Sequence, residues 1–393
     1  MLLMVIMRWM FRAQRQVEYR VKTSMNKLYS YQGSFEVLPA GTGRWTLLGI
    51  LTVLAALAPY PAFATVYRVG PDQVLKTPSQ AARIVQTGDT IEIEPKPGGY
   101  YDCAVWNANN LTIEGIGQGV RLTDSTCQGK AIFVTVGHNI TIRNLTFARA
   151  VVPDWNGAGI RAEGRDLRIE DSRFIDNQSG ILVADSPGST VTIQNSQFID
   201  NGFCGPRSCA DSIEVGRIAE LKISHSLITG TPGGDAIHSL ATLTQLVSNR
   251  IEDGETGAAN YLVDLPFGGS LIMHENTLVR GSRSRQPGIA VRIMQGVGAP
   301  KVNQLVFTGN TLQSDSEHPA TFILNWTGTR AQLSGNHLGA GDVPLSRSGY
   351  LWFLTKSSIH YVIAEAKDFA RPVRAHLHTI VNSILGKFGL HYR

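Results

Sequence analysis

Two acid–base side chains occupy matching places in successive, similar segments. Glu214 lies in SIEVG (212–216) and His238 in AIHSL (236–240). Asp211 and Asp235 stand immediately before the same two segments. A carboxylate beside an imidazole orients the ring and raises its basicity. Two carboxyls held close together divide into proton donor and proton acceptor. Arg161, in GIRAE (159–163), takes the same place as Glu214 and His238, and Arg292 sits in a related segment, IAVRIM (289–294). A guanidinium can grip a carboxylate through two parallel hydrogen bonds. Trp155, in a loop rich in small and polar residues, adds a flat face on which a ring could stack.

These residues act together only if the segments carrying them stack, and a repeat along the chain supplies that stacking. It reads apolar-x-apolar-x-x-(polar or small)-x-apolar. Its copies include NITIRNLTF (139–147), DLRIEDSRF (166–174), TVTIQNSQF (190–198), ELKISHSLI (220–228), SLIMHENTL (270–278), QLVFTGNTL (304–312) and RAQLSGNHL (330–338). A period in the twenties with two-residue alternation inside each copy implies a solenoid of short strands. No 10–15-residue helical segment separates the copies. Each unit holds a second strand, from KAIFVTV (130–136) to TFILN (321–325). The expected fold is an all-β solenoid, a parallel β-helix of about nine coils over 65–345, each coil burying its apolar face against the next.

Alternation assigns directions within the strands. With Ile160, Ile181, Ile213, Ile237 and Leu262 turned inward, the outward column reads Arg161, Leu182, Glu214, His238, Val263. Glu214 and His238 are then neighbours one strand spacing apart. Loops 148–158, 201–211 and 280–288 enter the same edge and bring Asp154, Trp155, Arg207, Arg283 and Arg285. A second column, Ser172, Ser196, Ser226, Asn249, Asn276, Asn310 and Asn336, falls at one turn of every coil. These residue types hydrogen-bond local backbone, and Asn tolerates the left-handed conformation, so the column is read as structural.

The ends differ from the body. Residues 65–346 hold 22 basic and 27 acidic side chains, whereas residues 1–64 and 347–393 each carry a net +5. A mildly acidic body argues against nucleic acid as the partner. The apolar run 46–58, with Arg44 before it and Ala62-Phe63-Ala64 after it, has the pattern of a secretory signal peptide cleaved after Ala64. Retention as an inner-membrane anchor is the alternative. Secretion or a periplasmic location permits disulfides. Four cysteines allow three pairings. Cys103–Cys127, one coil apart, and Cys204–Cys209, flanking a four-residue loop, are preferred. A helix is expected over 79–86 as a cap on the first coil, followed by a strand at 90–94. The basic tail 346–393, with Leu377, Ile380, Val381, Ile384, Leu385 and Phe388 at helical spacing, is expected to cap the other end, and could also lie on a membrane surface. No cofactor motif and no metal site is read from the chain, and a monomer is expected.

The repeats and the opening TPSQAARIVQTGDTIEI (77–93) resemble the pectin-lyase-like superfamily of right-handed parallel β-helix proteins, over roughly 66–345, including members found in proteobacteria. The resemblance implies an acidic polysaccharide as ligand. For uronate β-elimination or C5 epimerisation, His238 is the expected base and Arg161 or Arg292 the carboxylate clamp. For glycoside hydrolysis, Asp211, Glu214 and Asp235 form the acid–base set, and Trp155 stacks on a sugar in either case. The chain departs from well-known enzymes of this group. It has no Asp-Asp pair, no Gly-His-Gly and no Arg-x-Pro-x-x-Arg. The alternative is a non-catalytic glycan-binding or envelope-structural β-helix protein.

Overall fold

The computed structural model describes residues 64–346 except 207, 284–287, 297–298 and 315–319. The apolar run 46–58, the tail 347–393, Arg207 and Arg285 lie outside the described residues. Within them the chain winds through three parallel sheets of eleven, nine and ten strands, each strand pairing with its counterpart in the coil before and the coil after. That makes about ten turns, against the nine counted from the repeat. One small antiparallel hairpin, Phe203–Cys204 with Cys209–Ala210, stands apart from the stack.

The strands form because the repeat alternates β-branched and apolar residues with polar ones. Thr190–Gln194 buries every second side chain. Parallel register then aligns like with like. In the eleven-stranded sheet Ile91, Ile113, Ile142, Ile169, Ile193, Ile223, Leu246, Met273 and Phe307 lie one above another along the core. In the nine-stranded sheet Phe147, Phe174 and Phe198 stack with ring centroids 5.2 and 4.6 Å apart. These separations match the strand spacing of roughly 4.8 Å, so backbone pairing and ring stacking reinforce one another.

The polar column at the coil corner is a hydrogen-bond ladder. The backbone N–H groups of Ser172, Ser196, Ser226, Asn249, Asn276 and Asn310 each donate to the side-chain oxygen of the next member, at 2.9–3.2 Å. The amides of Asn249, Asn276, Asn310 and Asn336 also donate to the carbonyls of Ile223, Leu246, Met273 and Phe307. The left-handed residue is not the ladder residue itself, as the sequence suggested, but the one before it: Asp171, Asn195, His225, Ser248, Glu275, Gly309 and Gly335 all have positive φ. Turning the chain there leaves the ladder side chain pointing inward, where it replaces backbone partners that a corner cannot provide.

The first coil is capped by a helix shorter than expected, Pro78–Ala82. It stops because the Gln86 N–H is taken by the Asp89 carboxylate, which turns the chain into the strand Thr90–Ile93. Among the described residues no helix is long and apolar enough to cross a membrane.

Asn276 has partners above and below it in the ladder. Asn276→Ala is therefore expected to lower stability by about 2–3 kcal/mol, because it strands buried groups on both sides. A clear drop in the urea midpoint by circular dichroism would bear this out, and an unchanged midpoint would show that the ladder carries little of the stability.

Candidate functional site

The ten-stranded sheet carries the candidate site on its outward face. Its strands Ala158–Ala162, Ser179–Val183, Ile213–Val215, Ile237–Ser239, Val263–Leu265 and Ile289–Met294 set one outward residue per coil. Pairing gives the order Arg161, Leu182, Glu214, His238, Asp264, Arg292. The first four follow the sequence expectation. The fifth does not: Val263 is turned inward and Asp264 takes the outward place. Leu262 and Val263 are both fully buried, so alternation alone could not choose between them.

His238 lies between Glu214 and Asp264 in this column and meets three carboxylates at one ring nitrogen. Its Nδ1 is 3.4 Å from Asp235 Oδ2, 3.6 Å from Asp211 Oδ2 and 3.7 Å from Asp264 Oδ2. The two aspartates that precede their strands are fixed by their other oxygens. Asp211 Oδ1 accepts the Asp235 N–H at 2.6 Å, and Asp235 Oδ1 accepts the Tyr261 N–H at 3.1 Å. Each carboxylate thus closes the turn of the next coil with one oxygen and presents the second to the imidazole. Both side chains read from the sequence as acid–base candidates thus also close turns.

Asp264 is committed on its far side. Arg292 donates to it through Nε at 2.7 Å and Nη2 at 2.5 Å, a bidentate pair, while its guanidinium lies 4.2 Å from the centre of the Tyr261 ring. Arg292 is therefore engaged by protein groups. Arg161, at the other end of the column, has no such partner: Glu163 lies 3.6 Å from its Nε, and that Nε is a buried atom without a hydrogen bond.

The hairpin 203–210 frames Asp211. Cys204–Cys209 is a disulfide, as is Cys103–Cys127, so both preferred pairings are present. Gly233 passes under Cys204, where a Cβ would fall 2.7 Å from the Sγ. Gly234 has φ +75°, and a Cβ there would strike Asp211 Oδ1 at 2.6 Å. Glycine at both positions lets the hairpin close onto the turn that leads to Asp235. Trp155 stacks on Phe203 with centroids 5.2 Å apart and planes 2° from parallel, so one face of its ring is occupied by the hairpin while the residue stays 38 % exposed.

The electrostatics follow from burial and crowding. Burial alone would push the His238 imidazolium toward the neutral form. The fields of Asp211, Asp264 and Asp235 and the Asp235 hydrogen bond outweigh it, and the pKa rises to about 10. Asp211 is pushed well above the usual carboxylate range, first by burial and then by Asp235 and Glu214, with His238 opposing. Asp264 is also raised by burial, against the pull of Arg292. His238 therefore keeps its proton at neutral pH. Asp211, Asp235 and His238 also present ligand atoms within 4.8 Å of one another, a set that could hold a divalent cation. No such set was read from the sequence, because its three members come from two coils.

The family model for the right-handed beta helix region matches residues 84–208. The match covers about a third of the chain, and the described residues as a whole wind as a parallel β-helix. No curated protein matches it. Among solved structures the β-helix is similar to the pectate lyase Pel9A, at 13 % identity over 73 % of this chain and 80 % of that one, with a TM-score of 0.47. It is similar to an alginate lyase from Paenibacillus sp. str. FPU-7, at 16 % identity over 68 % and 94 %, with a TM-score of 0.45. A pectin methylesterase from Yersinia enterocolitica gives 11 % identity over 72 % and 96 %, with a TM-score of 0.34. Likeness at this level concerns the winding of the chain and leaves the chemistry to the residues of this β-helix.

A group with its pKa raised on folding stabilises the fold below its unfolded pKa and loses that contribution as pH rises through the folded value. For His238 the window runs from about 6.5 to about 10. NMR of the ring should show His238 still protonated at pH 8, and the unfolding midpoint should fall across that window in the wild type but more shallowly in His238→Gln. A ring that titrates near 6.5 would contradict the cluster geometry.

Proposed function

We propose that this β-helix acts outside the cytoplasm on an acidic polysaccharide, at the outward column around His238. The observation that carries the reading is one imidazole nitrogen facing three carboxylates on a sheet face where the adjacent coil offers Glu214 and a coil three strands away offers Arg161. An imidazole protonated up to about pH 10 is a proton donor, so it is poorly suited to the base role in β-elimination. The arrangement favours hydrolysis. The proton carried by the His238 imidazolium passes to the glycosidic oxygen, and Glu214, one coil away, activates water or attacks the sugar. Asp235 and Asp264 keep the ring oriented and charged. Trp155, stacked against Phe203 of the hairpin that precedes Asp211, offers its exposed part to a sugar ring. Two disulfides fit an oxidising compartment and support export by the apolar run 46–58.

A second reading rests on one observation. The side chains of His238, Asp211, Asp235 and Asp264 are only 9, 12, 7 and 0 % exposed. Such burial suits a cluster that locks coils together in a protein that binds glycan without cleaving it.

Incubation of the folded protein with pectate, alginate and glucuronan, followed by reducing-end and unsaturated-product assays, separates the two. The hydrolytic reading expects new reducing ends without unsaturation, activity falling as pH rises past about 10, and a loss of at least a hundredfold in His238→Gln and Glu214→Gln. Polymer binding with no products from the wild type would leave the binding reading in its place.

A further inference from the structure

The acid–base centre is a poor place to receive an anionic sugar. Asp211, Asp235, Asp264 and Glu214 gather there, and Arg292, a nearby cation, is spent on Asp264. The other end of the same column has the opposite character. Lys130 Nζ bonds Glu163 Oε1 at 2.6 Å, while Arg161 Nε stands 3.6 Å from that same oxygen. Two cations thus share one carboxylate, and Lys130 holds it. The Arg161 Nε–H is buried without a hydrogen-bond acceptor, yet the side chain remains 26 % exposed. A guanidinium with a donor unsatisfied, sharing its one carboxylate with a second cation, is prepared for an anion from outside.

We infer that Arg161, supported by Lys130, forms a remote subsite for a sugar carboxylate, three coils from His238. The register fixes the distance: Arg161 pairs with Leu182, Leu182 with Glu214 and Glu214 with His238. Three strand spacings make about 14 Å along the stack. The ligand is then a uronate oligosaccharide laid along the column. It is anchored by a carboxylate several rings from the bond that meets the acid–base centre. Leu182 lies between the two ends, packed with Ala131, Val134 and Ala158 in a small apolar cluster, and places no charge there. This subsite rests on the polysaccharide reading and specifies how the chain recognises an acidic polymer despite an acidic centre.

The test is calorimetric titration of the full chain with a uronate hexamer and with its fully methyl-esterified counterpart. Arg161→Gln is expected to weaken the acidic hexamer about tenfold and leave the esterified one unchanged. Glu163→Gln frees both cations and is expected to tighten the acidic hexamer severalfold. Lys130→Gln releases Glu163 to pair with Arg161 and is expected to weaken it. Unchanged affinity in Arg161→Gln and Glu163→Gln, with the wild type binding the acidic hexamer, would overturn the subsite alone. A wild type that binds neither hexamer would overturn the subsite and the polysaccharide reading together. If Arg161→Gln fails to fold by circular dichroism, the Glu163→Gln result decides.

Discussion

Register between successive coils is the constraint on which everything else in this molecule depends. A parallel stack repeats its strands at one fixed spacing, so a residue's neighbour is set by its place in the coil and not by its distance along the chain. The Ser and Asn ladder at the corner enforces that register with at least one hydrogen bond per coil, and the stacked phenylalanines agree with it. Loops vary in length outside this frame without disturbing it. A one-residue slip in a single strand would turn His238 into the core and dissolve the cluster.

The same constraint explains how charges come to be buried together. Each aspartate of the pair Asp211 and Asp235 closes the turn above it with one oxygen, which keeps the carboxylates in place despite their mutual repulsion. The second oxygens converge on the imidazole because the turns are in register. The carboxylates around the ring raise the proton affinity of His238, burial raises that of Asp211, and Arg292 bonds Asp264 from the other side. Elsewhere in the stack the fully buried Arg280 and Asp253 approach within 3.5 Å, a further pair held by coil geometry. The outward column therefore changes character along its length, from Arg161, which shares Glu163 with Lys130, to a protonated His238 among carboxylates.

Much of this was legible in the sequence for a physical reason: a solenoid converts spacing into contact. The repeat predicted the winding, the coil-length separation of Cys103 and Cys127 predicted their bond, and the matching offsets of Glu214 and His238 predicted their pairing. What stayed hidden lay where alternation breaks down. In YLVDL (261–265) the inward and outward places are both apolar until Asp264, so the parity was taken one residue out and the third carboxylate was missed. Arg292 looked like a free clamp because its partner was that same residue. The signal that could have found both is a lone acid inside an apolar strand, matched one coil later by a lone arginine.

The most direct test of the account is the structure of a complex. Crystals of the protein grown with a uronate oligosaccharide should show the sugar lying along the outward column, a carboxylate on Arg161 and a glycosidic oxygen within hydrogen-bond reach of the Asp211–His238 pair. A sugar bound on another sheet, or a column that stays empty while the same oligosaccharide saturates the protein in solution, would contradict it.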